Sequence, residues 1–258
     1  MELISKKPIF SFNFSTLNFA DAVSAIIGLA EKKNSAYICV SNVHMLMEAK
    51  KDVAFGMVLQ HADMAVLDGM PLCWSMALLH GIKTDRIAGR HLMDAILRKC
   101  ALQQLPVYFY GGKAAALERA VNFIENNYQG IQVVGSYSPP FRPLSEEEDL
   151  EVIEKIKRSG AAIVFVSLGC PKQEKWMARM KNRIPAVMLG IGVALEVLTQ
   201  QQKSTPLWME RSGLEWLFRM CKEPRRLFKR YLITNTGFIF LLLRTLLFKR
   251  NQTDNISS

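Results

Sequence analysis

The feature that most constrains the fold of this chain is a repeated alternation of short apolar segments with longer helical patterns. The alternation predicts βαβ units, and the continuous apolar strands indicate an α/β fold with a mostly parallel sheet and helices on both faces. The predicted strands are Ala36–Val40, Ala65–Leu67, Val107–Tyr110, Ile131–Gly135, Ala161–Ser167 and Ala186–Leu189. The predicted helices cover about 19–33, 43–60, 70–80, 91–104, 113–127, 145–159 and 171–182.

Positive charge is concentrated at the C-terminal end of the chain. The formal net charge is +10, and residues 207–258 hold 10 Lys and Arg against 4 Asp and Glu. From Pro206 onward the pattern is helical, without further strands. We therefore expect a nearly balanced α/β body over residues 1–206 and a basic helical appendage over residues 207–258. A chain that is 50% hydrophobic and 22% charged is also not a disordered one.

The five cysteines are widely spaced and contain no Cys-x-x-Cys pair. This spacing predicts reduced thiols in a cytosolic protein rather than a disulfide framework or a structural zinc site. The four histidines show no metal-type spacing either, so no metal site is predicted. The N-terminal segment lacks the long apolar stretch of a signal peptide.

Glycine or polar side chains follow five of the predicted strands. In parallel sheets, ligands bind beyond the carboxyl ends of the strands. These residues therefore predict a polar, glycine-lined crevice along one edge of the sheet. They are Asn42, Asp68, Gly111, Gly112, Gly169, Gly190 and Gly192.

The glycines at two strand ends suggest different sites. Gly111-Gly112-Lys113 opens a helix, where free backbone N–H groups and the helix dipole suit a phosphate; a tight βα turn is the alternative. Gly190-Ile191-Gly192 has Leu195 where a dinucleotide fingerprint has a third glycine. Nicotinamide binding is thus disfavoured, and no cofactor is predicted.

Asp68 is the candidate catalytic residue. It stands at a strand end before a glycine, where a carboxylate can take a proton from an attacking hydroxyl group. An N-cap or Asx turn is the alternative. Nearby in the sequence, Arg86 can bind a phosphate or pair with Asp85.

Two amides and two histidines complete the set of candidates. The amides of Asn42 and Gln173 suit sugar hydroxyl groups or phosphate oxygens. His44 and His91 are candidate bases, with a structural role at a helix start as the alternative.

Residues 214–232 combine large apolar side chains with crowded positive charge. A basic amphipathic helix next to an apolar end suits an anionic bilayer surface. A solvated basic helix and nucleic-acid binding are the alternatives, and a lipid surface is favoured over nucleic acid because an apolar run follows. The basic residues are Arg219, Arg225, Arg226, Lys229 and Arg230.

The apolar run itself is Phe238–Phe248, interrupted by Arg244. A spanning helix needs roughly 20 apolar residues, and extending this run backward adds polar groups and Gly237. Interfacial membrane contact is therefore favoured over a spanning helix, a buried terminal helix or an oligomer contact.

Several motifs together resemble one family. They stand here as Ser41-Asn42-Val43, Leu67-Asp68-Gly69-Met70, Arg86-Ile87-Ala88-Gly89, Gly169-Cys170-Pro171-Lys172-Gln173-Glu174-Lys175-Trp176, and Leu214-Glu215-Trp216 with Glu223-Pro224-Arg225-Arg226. From about Ile38 to Leu232 the chain resembles the WecG/TagA/CpsF glycosyltransferases, glycosyltransferase family 26.

The resemblance implies a cytoplasmic enzyme associated with the inner face of the cell membrane. Its Rossmann-like domain would carry a helical C-terminal appendage that completes the site at the membrane. It would move a hexosyl or N-acetylhexosaminyl group, with inversion, from a UDP-sugar to a polyprenyl-diphosphate-linked saccharide. The product would belong to a surface polysaccharide such as exopolysaccharide, capsule, teichoic acid or common antigen. The family needs no Asp-x-Asp metal site, and the sequence has no such motif.

The resemblance also implies roles for particular residues. Asp68 would be the general base that deprotonates the acceptor hydroxyl group, and Asn42 would hold the donor sugar or its diphosphate. Positive charge would offset the charge that builds on the UDP leaving group. The resemblance also gives substrate-binding roles to Arg86, Gln173, Arg219, Arg225 and Arg226. The predicted substrate-binding set is completed by Gly111, Gly112 and Gly169 from the strand-end pattern and by Glu196.

The chain departs from the family pattern at several positions. Val40 stands where the family often has Thr, and Glu196 stands in the place of an Asp. The sugar is therefore not assigned as N-acetylmannosamine. A non-catalytic nucleotide- or membrane-binding protein on the same fold is the rival hypothesis, and the oligomeric state, a homo-oligomer included, stays open.

Overall fold

The computed structural model describes residues 4–199 and 205–254, and it confirms the predicted α/β fold. An antiparallel hairpin comes first, and six parallel strands follow in the order β4-β3-β8-β7-β5-β6. The strands are β1 Lys6–Ile9, β2 Phe12–Ser15, β3 Ala36–Ser41, β4 Met64–Leu67, β5 Val107–Gly111, β6 Val133–Tyr137, β7 Ile163–Ser167 and β8 Val187–Gly190.

Helices connect the strands, and the described part of the chain after Pro206 contains helices without strands, as expected. The helices are α1 Phe19–Glu31, α2 Val43–Lys51, α3 Val53–Gln60, α4 Met70–His80, α5 Gly89–Gln103, α6 Ala114–Asn127, α7 Glu146–Ser159, α8 Lys172–Met180, α9 Ala194–Leu198, α10 Leu207–Arg211, α11 Glu215–Lys222 and α12 Pro224–Asp254.

The prediction of a single helix over 43–60 is wrong. Asp52 has an extended backbone between α2 and α3, and its Oδ1 accepts a hydrogen bond of 3.1 Å from the backbone N–H of Phe55. A short carboxylate that caps the next helix competes with continuation of the first one. One pattern of apolar residues therefore folds as two helices.

Two apolar cores lie on opposite faces of the sheet. Successive side chains of a strand point to opposite faces, and β3 shows this directly: Tyr37 and Cys39 join one core, whereas Ile38 and Val40 join the other. Helices α2, α3, α4, α7 and α8 contribute to the first core, and α1, α5, α6 and α9 contribute to the second. This two-sided covering explains why the strands are apolar throughout.

The β1–β2 hairpin was not predicted from the sequence. Its first strand begins with Lys6 and Lys7, so it lacks the apolar character of the other strands. Its second strand buries Phe12 and Phe14. The hairpin is held beside β4, where the backbone N–H of Ala65 donates to Ser15 Oγ at 3.3 Å.

Helix α12 is one continuous element of 31 residues. Phe238 is buried in the first core and meets Phe10 edge to face, with ring centroids 5.6 Å apart. The 23 residues Leu227–Lys249 are long and apolar enough to cross a membrane, and little of this stretch is buried in the protein. One side of the helix thus packs on the body, and the other fits a membrane-associating appendage. The boundary at residue 206 stays a prediction.

The turn after β5 is tightly constrained. Gly111 has φ +112°, and a Cβ built on it would stand 2.5 Å from the carbonyl oxygen of Ser167 in β7. Gly112 has φ +79°, with open space where its Cβ would lie. Both positions therefore have a left-handed backbone, but only at Gly111 does the neighbouring strand also leave no room for a Cβ atom.

We expect Gly111→Ala to destabilise the protein more than Gly112→Ala does. The left-handed backbone costs a non-glycine residue about 1–2 kcal/mol at either position, and the clash with Ser167 adds about 1–3 kcal/mol at residue 111. Urea unfolding of both variants and the wild type measures the difference. Equal destabilisation would show that the close approach of β5 to β7 at Gly111 is not a packing constraint.

Candidate active site

The parallel sheet brings the predicted strand-end residues to one edge. In the order of the strands, Asp68 follows β4, Asn42 follows β3, Gly192 follows β8, Gly169 follows β7 and Gly112 follows β5. The predicted crevice therefore has a physical basis, because all these strands end at the same side of the sheet.

Asp68 is not a helix cap. The N-cap of α4 is Gly69, and this helix start receives no side-chain hydrogen bond. The Asp68 carboxylate instead lies 3.4 Å from the guanidinium of Arg86 and accepts from the backbone N–H of Gly89. Its side chain remains 24% exposed. The helix-cap alternative for Asp68 is thus wrong.

The surroundings of Asp68 shift its proton affinity. Burial raises the pKa of Asp68 to about 6, against the lowering effect of Arg86. Glu215, in the appendage, adds to the rise, and Arg219 opposes it. A carboxyl group with a pKa near the working pH can both accept and release a proton.

Arg86 joins the body to the appendage. Its guanidinium forms an ion pair with Glu215 of α11 and donates to the backbone carbonyl of Glu210 of α10 at 3.1 Å. The predicted alternative pairing with Asp85 is wrong, because the Asp85 carboxylate instead accepts from the backbone N–H of Phe19 at 3.0 Å.

A second set of contacts holds α10 on α5. The Glu210 carboxylate pairs with Arg90 at 3.2 Å and with His91 Nε2 at 2.8 Å. His91 is therefore engaged in holding the appendage. The other candidate base, His44, has its pKa lowered mainly by burial, with Arg230 of α12 adding to the effect.

Gln173 is turned into the protein and ties two loops of the crevice together. Its Oε1 accepts from the backbone N–H groups of Gly169 and Gly192, each at 3.1 Å. Its Nε2 donates to the Glu174 carboxylate at 2.7 Å. Because Oε1 accepts a hydrogen bond from each loop, Gln173 holds the loops after β7 and β8 in place at the crevice.

The carboxyl group of Glu174, the residue after Gln173, is fully buried. Burial raises its pKa to about 7, although Gln173 and the Cys170 thiol both lower it by hydrogen bonding. Its Oε2 has no hydrogen-bond partner. The Glu174 carboxyl group is thus neutral over much of the acid range, because burial penalises its charged form.

The remaining predicted residues lie in different surroundings. Asn42 caps α2, with Oδ1 accepting from the backbone N–H of Met45 at 3.1 Å, so its amide NH₂ group is not used by the cap. Arg219 lies 4.0 Å from the Glu215 carboxylate. Glu196 lies in the first turn of α9, and Arg225 is exposed at the start of α12. The side chain of Arg226 lies outside the described residues.

Glu210 and Glu215 were not predicted from the sequence as residues of the site. Glu215 belongs to the Leu-Glu-Trp motif quoted above, which was the available signal. No sequence pattern joins these residues to Arg86, since more than 120 positions separate them. Across residues 4–199 and 205–254, no group of three His, Cys, Asp or Glu side chains is placed to hold a metal ion.

The chain was compared with models of protein families and with known proteins. Residues 7–252 match the model of a family described as the glycosyl transferase WecG/TagA/CpsF family. A relative from Bacillus spizizenii is 28% identical over 222 residues, which cover 85% of this chain and 84% of the relative. That relative is named N-acetylglucosaminyldiphosphoundecaprenol N-acetyl-beta-D-mannosaminyltransferase.

Glu174 predicts a specific pH dependence of stability. Its pKa is raised in the folded state from 4.5 to about 7. Its contribution to stability is therefore fully present below pH 4.5 and is lost as the pH rises from there through about 7. The free energy of unfolding of the wild type should fall by about 2–3 kcal/mol from this group across that window.

Urea unfolding at several pH values checks this prediction. Glu174→Gln removes the titration and should flatten the pH dependence, whereas Glu151→Gln, on an exposed side chain, should leave it as in the wild type. The same slope in the wild type and in Glu174→Gln would contradict the assignment.

Proposed function

The chain belongs to the WecG/TagA/CpsF family of glycosyl transferases, and on that premise we propose a specific reaction for it. The enzyme transfers an N-acetylhexosaminyl or hexosyl group from a UDP-sugar to a polyprenyl-diphosphate-linked saccharide, with inversion at the anomeric carbon. Its product enters a bacterial surface polysaccharide. The observation that carries the proposal is the Asp68 carboxylate, partly exposed at the crevice and paired with Arg86.

In this proposal Asp68 is the general base. The ionised carboxylate accepts the proton of the acceptor hydroxyl group as its oxygen attacks the anomeric carbon, and the bond to UDP breaks on the opposite side. Arg86 holds the carboxylate in place through the 3.4 Å contact. A pKa of about 6 leaves Asp68 ionised at neutral pH and still basic enough to take the proton.

Positive charge from the appendage offsets the charge that develops on the leaving diphosphate. Arg219 is near enough to Asp68 to influence its pKa, and Arg225 is exposed at the start of the next helix. Guanidinium groups bind phosphates through paired, charge-assisted hydrogen bonds. We assign them to the diphosphates of donor and acceptor, without a metal ion, and assign the glycine turns at Gly112 and Gly169 to the donor.

The acceptor assignment is supported by the relative from Bacillus spizizenii. Its name specifies a sugar linked to undecaprenol through a diphosphate and a product with a β linkage. Inverting transfer from an α-linked nucleotide sugar gives such a linkage. Because Val40 and Glu196 depart from the family pattern, the proposal covers the class of acceptor and not the identity of the sugar.

The appendage attaches the enzyme to the membrane that carries this acceptor. The outer side of α12 exposes large apolar side chains. Beside it, three cations and one carboxylate, from Lys51, Lys229, Arg230 and Glu48, line a cavity of about 310 Å³ between α2 and α12, which leaves an excess of positive charge. Apolar surface bordered by cations suits an anionic bilayer. We place the enzyme at the cytoplasmic face, where nucleotide sugars are made.

Asp68→Asn tests the proposed reaction. The amide keeps the shape of the side chain but cannot accept the proton, so transfer should fall by about 10²–10⁴-fold. UDP binding, measured by calorimetry, should be retained. Transfer is measured with a panel of UDP-sugars and a short-chain lipid diphosphate acceptor.

Asp85→Asn is the matched control, because Asp85 lies beside Arg86 in the sequence but contacts α1 instead. Unchanged transfer by Asp68→Asn would remove Asp68 from the role of base. A wild-type chain that binds UDP and transfers no sugar from the whole panel would favour the non-catalytic rival.

Glu215→Gln tests the electrostatic link between the appendage and the base. Burial is the main cause of the raised pKa of Asp68, and Glu215 adds to it. Removing the Glu215 charge should therefore lower that pKa and move the acid limb of kcat/KM toward lower pH by roughly 0.5–1 unit. A pH–rate profile measures the shift, with Asp85→Asn again as control. An unmoved or upward-shifted limb would contradict the link.

A further inference from the structure

One helix of the body presents an apolar face to solvent. Among its residues Met70–His80, α4 has no Lys, Arg, Asp or Glu. Its outward positions recur at helical spacing: Trp74 is 51% exposed, Leu78 is 58% exposed, and Ala77 is exposed beside them. The outward stripe of a surface helix ordinarily carries polar or charged side chains. A stripe of Trp, Ala and Leu therefore indicates contact with an apolar partner.

The appendage flanks α4 at both ends. At the start of α4, Gly213 lies so close to Met70 that a Cβ on this glycine would stand 3.1 Å from the Met70 Cβ. At its end, the Lys249 ammonium of α12 donates to the backbone carbonyl of Leu79. The stripe on α4 therefore lies on a helix that contacts α12, which has an exposed apolar side of its own. The exposed apolar side chains in the second half of α12 are Ile239, Phe240, Leu243, Leu247 and Phe248.

We propose that α4 is a second membrane-contacting element, and that Trp74 and Leu78 enter the headgroup–acyl boundary of the bilayer that α12 meets. This inference rests on the proposed attachment of the appendage to the membrane. The amphipathic indole ring of a tryptophan suits that boundary.

An anionic bilayer fits this face better than a second copy of the chain does. Lys229 and Arg230 line the α2–α12 cavity beside an ion pair of 3.3 Å between Lys51 and Glu48, and this cavity borders the same appendage helix. Lys229 and Arg230 attract anionic headgroups, whereas two chains that each carry a net charge of +10 repel each other.

The inferred contact has a consequence for catalysis. Helix α4 begins two residues after Asp68. A bilayer that holds α4 therefore fixes the depth of the Asp68 carboxylate relative to the membrane surface. The diphosphate of a lipid-linked acceptor stands at that surface, so docking through α4 brings the base and the acceptor to the same level.

Fluorescence quenching by brominated lipids tests the contact in the full chain. Leu78→Cys is labelled with an environment-sensitive fluorophore in a Cys221→Ser background, and Leu102→Cys is the control. Leu102 is 80% exposed on α5, across the sheet from α4. With vesicles of phosphatidylglycerol and phosphatidylethanolamine, the label at residue 78 should be quenched and the label at residue 102 should not.

Vesicle flotation of unlabelled variants provides the second measurement. The double variant Trp74→Ser/Leu78→Ser should weaken vesicle binding by about tenfold. Leu102→Ser/Phe141→Ser removes two apolar side chains elsewhere that are even more exposed, at 80% and 84%, and should leave vesicle binding unchanged.

Three results would overturn the inference. Equal quenching at residues 78 and 102 on bound vesicles would overturn the contact of α4 alone and leave the attachment through α12 intact. A wild-type chain that does not float would overturn both. A response of the residue 78 label to protein concentration without lipid would identify a second copy of the chain as the occupant.

Discussion

The arrangement of this protein depends on the ion pairs of one largely buried guanidinium, that of Arg86. The Arg86 side chain is 13% exposed, and a charge taken out of water costs several kcal/mol unless it is paired. Its partners come from two parts of the chain: Asp68 from the body, and Glu210 and Glu215 from the appendage. The position of the appendage and the ionisation of the proposed base are therefore set by the same group of charges.

This group of charges also links the crevice to the proposed membrane surface. Helix α11 carries Glu215 into the site, and α12 follows it after a single residue and exposes its apolar side. Helix α4 leaves the site directly from Asp68 and Gly69. The proposed base thus lies where the elements that face the bilayer begin. In this account, the position of the appendage on the body both completes the site and turns the apolar side of α12 toward the membrane.

Apolar patterning was sufficient to predict the six-stranded sheet and its helices, because strands covered on both faces are apolar throughout. The parallel sheet then places Asp68 and Asn42 at one edge. The sequence did not reveal features that depend on individual polar contacts. The helix break at Asp52 depends on one cap. The cap at Asp52 is a local contact, but a short carboxylate can stand inside a helix as well as before one, so the pattern of apolar residues alone does not reveal it. The β1–β2 hairpin begins with Lys6 and Lys7, so its first strand lacks an apolar pattern. The inward orientation of Gln173 depends on two backbone N–H groups. The contact of Gln173 with Gly192 joins two loops that are separate in the sequence.

A double-mutant cycle between Arg86 and Glu215 tests most directly the claim that body and appendage form one active site. The value of kcat/KM for transfer is measured for the wild type, Arg86→Gln, Glu215→Gln and the double variant. Because the two side chains form an ion pair, the account predicts a coupling energy of about 1–3 kcal/mol. Effects that add within about 0.5 kcal/mol would contradict it, since independent residues show such additivity.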